Sequence, residues 1–70
     1  MALSKEVDNV INTLVCNGPA ARPTISRKHL KELLLYSDGW IMASGRMCDI
    51  KSKHLGAGVY SVWLERKKYD

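Results

Sequence analysis

Three cations fall within five residues of one apolar-patterned stretch. Arg27, Lys28 and Lys31 sit in Ile25–Tyr36, Ile-Ser-Arg-Lys-His-Leu-Lys-Glu-Leu-Leu-Leu-Tyr. The chemistry open to such a group is the neutralisation of an anion. Arginine can also pair bidentately with a guanine edge, whereas lysine serves as a point counter-charge to phosphate. A second basic group, Lys51, Lys53 and His54, precedes Gly56-Ala57-Gly58; Arg46 lies upstream of it, and Lys67 and Lys68 lie near the end of the chain. Other reactive types are present without a reactive pattern. Cys16, His29, Cys48 and His54 occur in an order that lacks the close ligand pairs of structural zinc sites, so neither a metal nor a cofactor is expected. The two cysteines are far apart and read as reduced thiols rather than a disulfide. Asp49 beside Cys48 is only a weak hint of a nucleophile, and no spacing implies acid–base work. An enzyme is not expected. His29 reads as a partly buried structural histidine, and His54 as a solvated one able to donate to a phosphate.

The elements that must hold these residues can be read from periodicity. Over 4–17, Val7, Val10, Ile11, Leu14 and Val15 follow the template of one helical face. Ser4 can cap the start, and Asn17-Gly18-Pro19 closes the helix, with Gly18 suited to a left-handed cap and Pro19 unable to continue the ladder. Cys16 falls on the polar side. The central helix has Ser26 as N-cap, Ile25 and Leu30 at the spacing of a hydrophobic staple, and Leu30, Leu33 and Leu34 as its core face. Arg27, Lys28 and Lys31 lie elsewhere on the wheel. In the first turn, cations oppose the positive end of the macrodipole by a few tenths of a kcal/mol. A helix with cations there is suited to present its N-terminus to an anion; the competing reading is solvated surface charge. Asp38-Gly39 ends the helix. Between the two helices, Pro23 drives Arg22 towards an extended conformation.

Residues 38–50 admit either a helix interrupted by Gly45 or two short strands joined at Ser44-Gly45. A glycine interior to a helix costs about 1 kcal/mol, so extended structure is favoured for Trp40–Ala43. Lys51–Gly58 reads as a polar, basic loop. Val59–Leu64 reads as a strand, apolar on both faces and therefore central or helix-covered. Strand alternation puts Trp63 opposite Tyr60, Val62 and Leu64. Trp40, Tyr60 and Trp63 are expected to fill the core between sheet and helices, or, if exposed, to stack on bases or anchor a protein.

Seventy residues form one small domain, 1–70. A hydrophobic content of 46% favours a globular fold over disorder. Eleven Lys and Arg against seven Asp and Glu give a net charge of +4 and a pI near 9.3, which favours an acidic partner. No signal-peptide order and no membrane-spanning stretch is present, so a cytoplasmic location and no membrane partner are expected. The fold class expected is α+β: two N-terminal helices packed on a C-terminal β-hairpin or small antiparallel sheet.

Helix, extended link, capped helix, strand, basic loop and strand in this order resemble a small winged helix-turn-helix domain of the kind found in phage-type regulators. The resemblance is carried by Thr24–Leu34, TISRKHLKELL, and by the hairpin-like pair around Lys51–Gly58. A complete winged helix has a third helix, which here must be residues 38–50 or be missing. The resemblance implies duplex DNA binding and transcriptional regulation. Arg27, Lys28 and Lys31 would be the helix contacts, Arg46, Lys51 and Lys53 the wing contacts, and Lys67 and Lys68 possible backbone contacts. The alternative is a small protein-binding inhibitor or adaptor acting through Leu35, Tyr36 and Trp63, with RNA binding through the sheet third. A homodimer is compatible with either.

Overall fold

The computed structural model describes residues 4–66; the backbone contacts expected at Lys67 and Lys68 lie outside them. The fold is α+β. Helix α1 spans Lys5–Asn17, with the Ser4 side chain accepting from the Val7 N–H and the Gly18 N–H donating to the Leu14 carbonyl. Gly18 takes φ 66° and ψ −151°, a positive-φ conformation open to glycine but outside the left-handed helical cap expected there. A single 3₁₀ turn, Gly18–Ala20, leads to strand β1, Thr24–Ser26. Helix α2 spans Arg27–Ser37 and is N-capped by Ser26, whose hydroxyl accepts from the His29 N–H. Asp38 in the left-handed conformation and Gly39 close it.

The remainder is sheet. Strands β2 (Trp40–Ala43), β3 (Arg46–Gly56) and β4 (Val59–Arg66) follow, and the order across the antiparallel sheet is β1-β4-β3-β2. Strand β4 is thus internal. No third helix occupies 38–50: β2 and β3 pair around Ser44-Gly45, with φ of 54° and 74° at the two turn residues. That left-handed pair matches the right-handed twist of its strands.

Lys51–Gly58 is not a loop. Strand β3 runs to Gly56, and only Ala57-Gly58 turns, again with positive φ at both residues (52° and 72°). A register shift between His54 and Gly56 gives the pairing a bulge close to this turn. Lys51–Val59 is exposed throughout, so this end of the hairpin forms an arm outside the core.

One core lies between the helices and one face of the sheet. Val7, Val10 and Leu14 of α1 and Leu30 and Leu33 of α2 meet Ile25, Ala43, Cys48, Ile50, Val62 and Leu64. Two expected core positions are corrected. Leu34 is 37% exposed and Val15 is 40% exposed. The buried stripe of α2 is centred between Leu30 and Leu33, and Leu34 lies roughly 70° round the helix from that centre. Ile11 is only partly buried, at the rim of the core.

Polar ties clamp the helices together. The Ser4 amide donates to Glu32 Oε2 at 2.8 Å, and Glu6 pairs with His29 Nδ1, which also lies 2.7 Å from Ser26 Oγ. His29 therefore has the structural setting expected of it. Cys16 is exposed and Cys48 buried, and neither forms a disulfide. Among the described residues, no group of three or more His, Cys, Asp or Glu side chains could hold a metal ion, and no helix is long and apolar enough to cross a membrane.

Candidate nucleic-acid interface

The basic residues divide into three places. Arg27, Lys28 and Lys31 are exposed on the first turn and a half of α2. At 100° per residue, the outward arc of this helix runs Leu34, Arg27, Lys31, Leu35, Lys28. The cations are i, i+3 and i, i+4 neighbours, so they repel each other as well as opposing the dipole. No acidic residue stands in that first turn to offset them.

The helix N-terminus itself is less available than its position suggests. The Arg27 N–H donates to the Gly58 carbonyl at 2.9 Å, and the His29 N–H is taken by Ser26. Anion capture there falls to the side chains rather than to bare backbone donors. The bond to Gly58 also fastens the tip of the β3–β4 arm against the start of α2. That juxtaposition of helix and arm could not be read from residue spacing.

Lys51 and Lys53 stand on the other face of the sheet. Lys51 is the cross-strand partner of Trp63 and Lys53 that of Ser61, whereas Val62 and Leu64 point into the core. By the same alternation, His54, opposite Tyr60, shares the helix-side face; the two rings lie 4.8 Å apart.

Arg46 belongs to neither group. It borders the Ser44-Gly45 turn at the far end of β3, seven residues from Lys53, or about 23 Å along the strand. Its side-chain parity is that of Cys48 and Ile50, opposite to that of Lys51 and Lys53. The wing contacts grouped from the sequence are therefore not brought together.

Nor are the apolar candidates. Leu35 is 86% and Tyr36 63% exposed on α2, while Trp63 is half-buried on the outer face of the sheet. Sequence reading missed Arg22, whose guanidinium lies 5.4 Å from the Trp63 ring centroid. The available signal was Pro23, which holds Arg22 extended so that it continues the line of β1 beside Trp63.

Comparison of the chain with protein-family models, with curated proteins and with solved structures gives no match, so its own residues carry the functional argument.

Proposed function

We propose that the protein binds duplex DNA through the outward arc of α2, as a minimal relative of the winged helix-turn-helix plan. The observation that carries this reading is the crowding of three exposed cations, Arg27, Lys28 and Lys31, on a helix whose own first turn holds no acid, while Glu6 and Glu32 are engaged by His29 and the Ser4 amide. Such an arrangement is unfavourable in the free protein and is relieved when phosphates neutralise it. With no helix at 38–50, α2 takes the groove-facing role. The arm beside it stands where a wing stands, with His54 on the helix side as a phosphate donor. Regulation of transcription is the role that follows if binding is sequence-selective.

A random duplex titrated at increasing salt tests this. The logarithm of affinity falls linearly with the logarithm of salt, by about 0.9 per phosphate contact. Lys31→Ala makes the slope shallower by about one contact and weakens all sequences alike; Arg27→Ala also relaxes sequence preference. Absence of duplex affinity at low salt ends the reading.

A second reading has its own observation: Leu34, Leu35 and Tyr36 form an exposed apolar end to α2. On that reading the protein is an adaptor or inhibitor of another protein, and Tyr36→Ser, outside the cationic arc, abolishes partner capture while leaving duplex affinity unchanged.

A further inference from the structure

Both helices lie on one face of the sheet, and the opposite face is built in rows. In the first row Arg22, in the link that precedes β1, stands beside Trp63 of β4 and Lys51 of β3. Lys51 pairs with Trp63 across β3 and β4, and Arg22 caps the Trp63 ring from the β1 side. The Val62 N–H donating to the Pro23 carbonyl extends the β1 ladder and brings Arg22 alongside. The second row is Thr24, Ser61 and Lys53. The third is Glu65, Asp49 and Trp40, and Met47 and Met42 follow. The face is thus polarised, with cations and small hydroxyl residues towards the arm and carboxylates towards the β2–β3 end.

From this face we infer a second binding site, for single-stranded nucleic acid, centred on Arg22 and Trp63. A single strand needs a stacking plane and a track of positive charge, and the first two rows supply both. The guanidinium of Arg22 is held by the carbonyls of Pro19 and Ala21, so it is fixed in place over the indole with its charge unneutralised by those contacts. The indole N–H donates to Glu65 Oε2, which orients the ring from its other side. A base stacks on the Arg22–Trp63 pair, since an arginine plane serves as readily as a ring. Lys51 and Lys53, about 7 Å apart on one side of β3, take successive phosphates. Thr24 and Ser61 offer hydroxyl groups between them. The exposed Glu65 carboxylate bounds the site on the side away from the arm, which directs the strand towards Lys51 and Lys53. The Gly18–Ala20 turn borders the Arg22 side of this half of the face, while Arg22, Thr24, Lys51 and Lys53 remain exposed. A duplex does not fit the chemistry, because its bases are already stacked and cannot reach Arg22.

This site is independent of the α2 reading, and the variants separate them. Fluorescent oligothymidylate and oligouridylate are titrated into the full chain at several salt concentrations, with a random duplex in parallel. The wild type binds the single strands at low salt, with a slope of about −0.7 per phosphate. Trp63→Leu weakens single-strand binding about 5- to 150-fold, the range for losing a stacked base, and leaves duplex binding unchanged. Lys51→Gln with Lys53→Gln lowers the magnitude of the slope by about 1.4, two contacts at 0.7 each. Both lysines are exposed, so this variant keeps its fold even if Trp63→Leu does not. Arg22→Lys, which keeps the charge and loses the plane, weakens binding without changing the slope. Tighter binding of oligouridylate assigns the site to RNA through the 2′-hydroxyl, and tighter binding of oligothymidylate assigns it to DNA. Absence of single-strand affinity at low salt overturns the inference. So does wild-type affinity in the lysine double variant, and so does loss of duplex and single-strand binding together in folded Trp63→Leu.

Discussion

The two faces of the sheet share the same strands and differ in nearly everything else. On the helix side, Ile25, Cys48, Ile50, Val62 and Leu64 are buried in one apolar cluster with five helix side chains. On the other side, the neighbours of Ile50, Val62 and Leu64 in sequence are charged, polar or aromatic, Lys51, Ser61, Trp63 and Glu65 among them, and Met47 lies beside Cys48. A two-residue period lets one strand serve as core and as surface at once. Among the described residues both helices pack on one face, and the second face carries the polar and aromatic side chains. On the proposal made above, stability and recognition map onto alternate residues of β3 and β4.

Substitutions can break or sharpen this contrast. The largest effect falls on the covered face. Leu33→Ala and Leu64→Ala each destabilise by about 2–5 kcal/mol, read by chemical denaturation, which is enough to unfold much of so small a domain. If Leu64→Ala costs no more than Lys51→Gln, the two faces are not as assigned.

A smaller loss is expected at the start of α2. Ser26→Ala removes the cap on the His29 N–H and the hydroxyl beside the His29 ring, costing about 1 kcal/mol. A thermal melt at unchanged position would show that the cap contributes nothing. At the arm the sign reverses. Ala57 holds a φ of 52°, a conformation that costs an L-residue roughly 1–2 kcal/mol, while glycine forfeits part of that gain through unfolded-state entropy. Ala57→Gly should stabilise by about 0.5 kcal/mol. Any destabilisation contradicts the left-handed turn. Smallest of all are Lys51→Gln and Leu34→Ala, each within about 0.5 kcal/mol of wild type as surface substitutions. A large loss from Leu34→Ala would restore the broader core face that the sequence suggests for α2.

What was readable in the sequence follows from what is buried. Both helices carry caps and an apolar stripe, and their limits at Ser4, Gly18, Ser26 and Asp38 are recoverable from residue type. The Trp63 alternation and the Ser44-Gly45 turn were legible because the flanking residues, Ala43 and Cys48 among them, pack on the core. The arm was not. Neither of its faces is buried, so Lys51-Ser52-Lys53-His54 shows no hydrophobic period, and Ala57 gives no turn signal although its backbone is left-handed. Leu34 misled for a different reason. Three consecutive leucines cover most of a helix turn, and only the position of the neighbouring elements decides which of them the core receives. The candidate sites were legible as residue types but not as groups. Spacing places Lys51 near Lys53, but only the β4 register reveals Trp63 between Lys51 and Arg22, with α2 on the opposite side of the sheet.

The separation of two nucleic-acid surfaces is tested most directly by amide chemical-shift mapping on the isotope-labelled wild-type chain. Random duplex is added in one series and oligothymidylate in another. The account predicts that duplex shifts concentrate on Arg27–Lys31 and the adjoining Gly58 tip, and that single-strand shifts concentrate on Arg22, Lys51, Lys53 and Trp63. Duplex shifts centred on Lys51 and Trp63 with Arg27–Lys31 silent, or one common set of shifts for both ligands, would contradict it.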